Sequence, residues 1–178
     1  LERGARYLRR TLGTAELVVP SGFLAGVFGQ HGIAARTVPN IVDLDIFKPA
    51  PERPPGLHVV VTRNLEPIYD IATVLEAFRR VREAVPDARL TVAGSGPERA
   101  ALERRAQELG LAASVTFAGR LDRDAIAALY RSATVALNPS RVDNTPNSIL
   151  EALACGVPVV STNVGGIPFL VEHGRTAW

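Results

Sequence analysis

The hydrophobic pattern of this chain predicts an α/β fold, in which a doubly wound parallel sheet is covered by helices on both faces. From Leu57 onward, short runs of apolar and β-branched residues alternate with amphipathic segments of helical length. Parallel strands need crossover connections of this kind, and the crossover helices cover the sheet. The chain has 178 residues, of which 47% are hydrophobic and 21% are charged. These values are typical of a folded chain that can bury a core.

Residues 1–54 carry a shorter pattern of the same kind. Apolar residues at helical spacing run from Leu1 to Leu12, and Ser21 precedes a second apolar run that it can cap as a helix. The expected elements are a helix over 1–12, a strand over 16–19, a helix over 23–30 and a strand over 35–38. The stretch from Pro49 to Gly56 is rich in proline and has no periodicity, which indicates a linker.

The strands expected after this linker cover 58–62, 89–93, 115–117, 135–138 and 157–161. The helices between them cover 71–85, 98–109, 123–130 and 146–154. In sheets of this class, ligands bind in the crevice outside the carboxyl ends of the strands. The loops that follow the strands are therefore where a site is expected.

Composition excludes several classes of protein. The net charge is +2 and the basic residues are dispersed, which argues against a nucleic-acid-binding protein. Cys155 is the sole cysteine, so an internal disulfide and a cysteine-built zinc site are excluded. His31, His58 and His173 have no metal-binding spacing and are expected to be structural or exposed. No apolar run approaches about 18 residues and the N-terminus lacks the order of a signal peptide, so we expect a cytoplasmic protein without a transmembrane segment.

The stretch from Asn138 to Glu151 carries the most informative local signal. Thr145 can cap the helix that follows, and Pro146 fits its first turn because a missing N–H costs nothing there. The amides in the first turn of a helix, together with the helix dipole, attract anions such as phosphate. The free amides expected here are those of Asn147, Ser148 and Ile149.

Two carboxylates flank this helix start. Asp143 lies just before it, and Glu151 lies about a turn and a half into it. Beside a bound diphosphate, a carboxylate can accept hydrogen bonds from sugar hydroxyls. Taken alone, the pair fits a simpler alternative at least as well, in which Asp143 caps a turn and Glu151 complements the helix dipole.

Other strand-end loops carry weaker signals. Gly94-Ser95-Gly96 could let the backbone approach a ligand or could be only a tight turn, and Gly119 has the same ambiguity. Gly165 and Gly166 could supply amides to an anion nest. Arg63 ends the first strand after the linker, where its guanidinium could reach a diphosphate with two parallel hydrogen bonds or could form a surface ion pair.

Several motifs follow one another in a fixed order: Pro39-Asn40-Ile41-Val42-Asp43 with Phe47-Lys48-Pro49, then 92–98, 115–119, 140–160 and Gly165-Gly166-Ile167-Pro168. In order and spacing they resemble the family-four group of retaining GT-B glycosyltransferases, from about residue 16 to the end. The most specific stretch is 143–158. That family has two glutamates separated by seven residues, and Asp143 with Glu151 has this spacing with aspartate in the first place.

The resemblance implies a fold of two Rossmann-like domains with the active site in the cleft between them. Residues 1–54 would be a remnant of the N-terminal acceptor domain with the interdomain linker. Residues 55–178 would be the nucleotide-sugar donor-binding domain, incomplete at its C-terminal end. We therefore expect the chain to be a fragment that is inactive alone.

The resemblance also implies roles for individual residues. Glu151 would bind the donor ribose, Asp143 would meet hydroxyls of the transferred sugar, and Arg63 would clamp the diphosphate. The remaining donor contacts would come from the helix start and from the glycine turns, namely from Asn147, Ser148, Ile149 and Leu150 for the phosphates, from Phe117 and Gly119 for the nucleobase, and from Gly165 and Gly166.

The sequence departs from the family pattern in two places. The lysine usually found a few residues after the arginine is absent, and Pro67-Ile68-Tyr69-Asp70 stands there instead. Phe169 replaces an acidic residue that is common after the Gly-Gly-Ile-Pro turn. The missing lysine removes one charge that would stabilise a departing diphosphate.

The activity implied is transfer of a hexose from a nucleoside-diphosphate sugar to an acceptor hydroxyl, with retention, in polysaccharide or glycolipid biosynthesis. No cofactor and no metal are expected, since Asp43-Leu44-Asp45 lies in the linker motif and not in a strand-end loop. Membrane contact would be peripheral, through the absent domain. Two alternatives stay open, a non-catalytic sugar-nucleotide-binding module and a nucleoside-diphosphate-sugar epimerase. A dinucleotide oxidoreductase is disfavoured because Gly94-Ser95-Gly96 lacks the third glycine of that fingerprint.

Overall fold

A computed structural model describes residues 2–12, 15–52 and 55–178 of the chain. Leu1 of the first expected helix and residues 53–54 of the expected linker lie outside the described residues. In chain order the elements are α1 (Glu2–Leu12), β1 (Leu17–Val19), α2 (Gly22–Gly29), β2 (Ala35–Thr37), β3 (His58–Thr62), α3 (Ile71–Ala84), β4 (Arg89–Ala93), α4 (Arg99–Glu108), β5 (Val115–Gly119), α5 (Arg123–Arg131), β6 (Val135–Asn138), α6 (Asn147–Ala154) and β7 (Val159–Ser161).

Strands β3 to β7 form one parallel sheet in the order β5-β4-β3-β6-β7. This order confirms the predicted doubly wound α/β class. The chain winds outward from β3 to β5, and then returns to the other side of β3 to add β6 and β7. The connections after β3 and β6 therefore leave the sheet in opposite directions, which creates the switch point where open α/β sheets bind ligands.

Alternate side chains of β3 supply the two cores that flank the sheet. Val59 and Val61 belong to the cluster formed with α3 and α4, whereas Val60 belongs to the cluster formed with α5 and α6. This division follows from the two-residue period of a strand whose faces are both covered. Phe47 extends the second cluster into the segment before the expected linker, because it is buried and its ring centroid lies 6.5 Å from that of Tyr130.

A separate two-stranded parallel sheet pairs β1 with β2, with Leu17 opposite Ala35. Ser21 caps α2 as predicted, since its hydroxyl accepts a hydrogen bond from the Leu24 amide at 3.1 Å. No helix in the described part of the chain combines the length and apolarity that a bilayer crossing would require.

The ends of several elements differ from the prediction for local reasons. β5 continues to Gly119, because a register shift near Val92 and Ala93 pairs Ala93 with Gly119. β7 begins at Val159, two residues later than expected. The Val157 amide closes α6 by donating to the Ala152 carbonyl at 2.9 Å, and Pro158 has no N–H to donate. The sequence did not predict the 3₁₀ turns at Pro67–Tyr69 and Ile167–Phe169.

Candidate functional site

An ion pair between Arg63 and Asp143 lies at the switch point. Arg63 directly follows β3 and Asp143 lies in the loop after β6, and the Arg63 Nη2 to Asp143 Oδ2 distance is 2.7 Å. Only 12% of the arginine side chain and 9% of the aspartate side chain are exposed. The surface ion pair considered for Arg63 is therefore wrong, because the pair is mostly withdrawn from water.

The rest of the Arg63 guanidinium keeps hydrogen-bonding capacity. Its Cζ lies 4.0 Å from the ring centroid of Tyr69, so the aromatic face supports the guanidinium by a cation–π contact. Nη1 lies 3.5 Å from Ser148 Oγ, at the limit of a hydrogen bond. Nε is buried and has no hydrogen-bond partner among the described residues. An unmet buried donor on a cation is costly unless a ligand satisfies it.

The start of α6 faces Arg63 and differs in detail from the prediction. Pro146 is the N-cap residue and no side chain caps the helix. The predicted cap by Thr145 is wrong, because its hydroxyl donates instead to the Pro20 carbonyl at 3.4 Å. The prediction that the Ile149 amide is free is also wrong, since this amide donates to the Pro146 carbonyl at 3.1 Å.

The amides of Asn147 and Ser148 find no acceptor within the described part of the chain. Both therefore remain available to an anion, and the helix dipole adds to their attraction. Leu150 lies in the next turn of α6 and is partly buried. Of the three amides predicted to be free, those of Asn147 and Ser148 are free among the described residues, and phosphate contact by them or by Leu150 stays a prediction.

Glu151 lies on the face of α6 that carries Asn147 and Ser148, because residues three and four apart in a helix lie one above the other. Its side chain is half-buried, and burial raises the pKa of the carboxyl although the nearby Arg123 lowers it. The carboxylate accepts no hydrogen bond from any described residue. It therefore has free lone pairs for a ligand hydroxyl.

Gly165 and Gly166 pack against the loop that carries Asp143. A Cβ at Gly165, where φ is +55°, would lie 1.9 Å from the Asp143 carbonyl oxygen, and one at Gly166 would lie 1.8 Å from that of Asn144. The Gly166 amide donates to the Asp143 carbonyl at 3.1 Å. The prediction that both glycines offer amides to an anion is therefore wrong for Gly166, and their close approach positions Asp143.

The Gly94-Ser95-Gly96 turn has the same function on the other side of the site. A Cβ at Gly94 would lie 1.9 Å from the Arg63 carbonyl oxygen, and one at Gly96 would lie 2.3 Å from that of Leu65. The backbone that these glycines admit belongs to the loop after β3. This turn is not open to a pyrophosphate, which agrees with the rejection of a dinucleotide oxidoreductase.

The residues expected near the nucleobase lie in β5. The Phe117 carbonyl accepts a hydrogen bond from Arg99 Nη2 at 3.1 Å. The Gly119 carbonyl accepts one from the Gly94 amide at 2.8 Å, and Gly119 has a φ of +71°. Both carbonyls are therefore engaged within the protein, and contact with a base at this strand end stays a prediction.

Sequence reasoning missed a connection from the N-terminal segment to α6. Asn40 Nδ2 donates to the Thr145 carbonyl at 3.1 Å and to Asn147 Oδ1 at 2.8 Å. The Ser21 hydroxyl donates to Asn144 Oδ1 nearby. A groove of about 580 Å³ opens beside Asn147, between this helix start and the ends of β1 and β2. The signal in the sequence was Asn40 itself, which lies inside one of the ordered motifs.

His58 is buried in the sheet and confirms the structural interpretation of this histidine. Its Nδ1 lies 2.9 Å from the Ser132 carbonyl, which can only accept, so Nδ1 carries the proton and Nε2 accepts from the Thr91 hydroxyl at 2.9 Å. Burial lowers the pKa of His58, so the neutral ring is favoured.

Asp43 and Asp45 form a turn. Asp43 Oδ1 accepts from the Asp45 amide at 3.1 Å, and Asp43 Oδ2 lies 3.4 Å from Arg123 Nη2. Within residues 2–12, 15–52 and 55–178, no three His, Cys, Asp or Glu side chains are grouped closely enough to hold a metal ion.

Comparison with known proteins agrees with this architecture. Residues 56–178, more than half of the chain, match the family model described as glycosyl transferases group 1. A relative in Mycolicibacterium smegmatis, named GDP-mannose-dependent alpha-(1-6)-phosphatidylinositol monomannoside mannosyltransferase, is 32% identical over 169 residues, which cover 85% of this chain and 44% of the relative. The chain thus spans less than half the length of this relative.

Solved structures share the fold over nearly the whole chain. A sucrose-phosphate synthase from Thermosynechococcus elongatus has a TM-score of 0.86 and 25% identity, and the match covers 99% of this chain and 48% of that one. Anabaena HepE, solved in complex with UDP-glucose, has a TM-score of 0.85 and 20% identity, with coverage of 99% and 53%. At that identity the second likeness concerns the fold alone.

Proposed function

Because this chain belongs to the group 1 glycosyltransferases, we propose that it supplies the donor site of a retaining enzyme that transfers a hexose from a nucleoside-diphosphate sugar to an acceptor hydroxyl. The observation that carries the proposal is the guanidinium of Arg63 at the switch point. Among the described residues its buried Nε has no hydrogen-bond partner, and it lies beside the start of α6, where the amides of Asn147 and Ser148 have none either. A cation and a helix N-terminus that face the same space suit a diphosphate.

The diphosphate would be held without breaking the Arg63–Asp143 ion pair. Asp143 uses Nη2, so Nη1 is available to one phosphate while the amides of Asn147 and Ser148 donate to the other. The positive charge and the helix dipole would also stabilise the negative charge that develops on the departing diphosphate. In this proposal a metal ion is not required, and chelation by EDTA is expected to leave nucleotide affinity unchanged.

The carboxylates would contact the sugars of the donor. Asp143 Oδ1 accepts from the Asn144 amide at 2.9 Å and Oδ2 accepts from Arg63, so each oxygen keeps a lone pair for a hydroxyl of the transferred hexose. Glu151, which has no hydrogen-bond donor in the described chain, would accept from the donor ribose. Retention is proposed from the resemblance to the retaining family, and anomeric analysis of the product by NMR tests it directly.

Calorimetric titration of the chain with UDP, GDP and ADP and with their hexose conjugates tests the donor site. GDP is included because the mycobacterial relative is named as GDP-mannose-dependent, and UDP is included because HepE was solved with UDP-glucose. We expect one nucleotide to bind, and Arg63→Lys and Glu151→Ala each to weaken that binding by about 1 to 3 kcal/mol. Arg63→Lys keeps a charge beside Asp143 but removes the planar fork.

Arg79→Ala is the matched control, because Arg79 lies on the exposed side of α3 and pairs with Glu83. Its nucleotide affinity should equal that of the unmodified chain. Failure of every nucleotide to bind a chain shown to be folded would refute the donor site. With a protein that contains both domains, a changed sugar without transfer would indicate an epimerase, and binding without turnover would indicate a binding module.

A further inference from the structure

Tyr130 is a buried titratable residue to which the proposed chemistry gives no part. It lies near the end of α5, and its side chain is among the most completely buried in the chain. The phenolic oxygen hydrogen-bonds with the Thr62 hydroxyl and with the Ser148 carbonyl, the latter at 2.9 Å. Thr62 is the last residue of β3, and Ser148 lies in the first turn of α6. Tyr130 therefore joins the two elements that carry Arg63 and the free amides.

These hydrogen bonds have a defined direction. A carbonyl oxygen can only accept, so the phenolic proton of Tyr130 is donated to Ser148, and the Thr62 hydroxyl must donate to the phenolic oxygen. Burial raises the pKa of Tyr130, so this proton stays in place at neutral pH. Hydrogen bonds in such a chain polarise one another and are strengthened by the low local dielectric constant.

The ring of Tyr130 is a fixed anchor for this chain of hydrogen bonds. It packs in the core that α5 and α6 share with the sheet, and the ring of Phe47 contacts it at a tilt of 60°. Close packing of this kind prevents the phenolic oxygen from following a displaced partner. Ser148 is thus held through its carbonyl by Tyr130, while its hydroxyl oxygen lies 3.5 Å from Arg63 Nη1.

We infer that Tyr130 is a positioning residue, whose hydroxyl, oriented by Thr62, holds the first turn of α6 in place so that the Ser148 amide and the Arg63 guanidinium reach the same diphosphate. The inference rests on the proposed donor site and deepens it. Removing the hydroxyl would leave the Ser148 carbonyl and the Thr62 hydroxyl without this partner. The start of α6 would then be free to move relative to β3, and a displacement of about 1 Å is enough to weaken the contacts with a bound group strongly.

The test is the dissociation constant of the nucleoside diphosphate that the unmodified chain binds, measured by calorimetry well below the melting temperature. Tyr130→Phe should weaken binding about tenfold, the change expected from one buried hydrogen bond. Phe78→Leu is the control for a general loss of stability, because Phe78 is buried in the core on the other face of the sheet from Tyr130. The nucleotide affinity of Phe78→Leu should stay within about twofold of that of the unmodified chain, although its melting temperature falls about as much as that of Tyr130→Phe.

A second pair of variants tests the contribution of the Thr62 hydroxyl without altering the tyrosine. Thr62→Val removes the hydroxyl that orients Tyr130 and should weaken binding about threefold, whereas Thr62→Ser keeps the hydroxyl and should restore the affinity of the unmodified chain. Unchanged affinity in both Tyr130→Phe and Thr62→Val would overturn the inference and leave the donor site standing. Absence of nucleotide binding in the unmodified chain would instead overturn the donor site, and the inference with it.

Discussion

In the Asp143→Asn variant, Arg63 loses its charged partner while the shape of the side chain is kept. At a separation of 2.7 Å the two charges attract by about 6 kcal/mol if the effective dielectric constant is about 20. Removing one member of a buried pair usually costs about 3 to 5 kcal/mol, because the other charge stays behind in a poor solvent. Since the two side chains keep 12% and 9% of their surface exposed, we expect a smaller loss here, about 2 to 3 kcal/mol in the free energy of unfolding.

The same variant should bind a nucleoside diphosphate more tightly. A phosphate would supply the negative charge that Arg63 has lost, and repulsion between Asp143 and the phosphate would vanish, so affinity should rise about tenfold. Urea unfolding with and without nucleotide, together with calorimetric titration, measures both effects. Asp70→Asn is the control, because Asp70 pairs with the exposed Arg141 and not with Arg63. Equal or weaker nucleotide binding by Asp143→Asn would refute the idea that the diphosphate shares Arg63 with the carboxylate.

Three further predictions concern stability. Glu151→Gln should stabilise the protein at pH 7.5, because burial raises the pKa of this carboxyl and so disfavours its charged form; solvent screening keeps the gain below about 1 kcal/mol. The gain should vanish below about pH 4, where the carboxyl is protonated in both the folded and the unfolded state. Equal stability of the two proteins in urea at pH 7.5 would contradict this prediction. His58 has a lowered pKa, so stability should be lost as the pH falls below about 6.5, and the melting temperature of His58→Gln should depend less on pH over that range. Gly165→Ala should lower the free energy of unfolding, measured in urea, by about 2 to 4 kcal/mol, and Gly110→Ala should lower it by less. Both glycines have a positive φ, but only a Cβ at position 165 would collide with backbone atoms. Equal losses would show that φ alone matters.

Regular elements of this fold were predictable because hydrophobic periodicity is local. The helix from Ile71 ends one residue earlier than expected, and the strand over Arg89–Ala93 has the expected bounds. The β1–β2 segment also followed from its own pattern, with Ser21 as the cap of α2. Periods of two and 3.6 residues depend on which faces are buried, and that information lies within a few neighbouring residues.

Interactions between distant segments were not predictable in the same way. Thr145 is a suitable capping residue by type, yet its hydroxyl binds the carbonyl of Pro20, 125 residues away in sequence. Arg63 and Asp143 were each assigned to the donor, and no local signal showed that they pair with each other. The glycine turns were found by residue type. Which backbone atoms pack against these glycines depends on how the loops after β3 and β6 fold, and the sequence does not show that locally.

The hydrogen bonds of Asn40 have a consequence for how this protein should be divided in the laboratory. The match to the family model begins at residue 56, but the amide that fastens the Thr145 carbonyl and the Asn147 side chain comes from residue 40. A shortened protein that starts at residue 56 would keep the five strands of the sheet and lose these hydrogen bonds at the start of α6, where the anion site is proposed. Weak binding by such a truncated protein would then reflect where it was cut, and would not count against the helix itself.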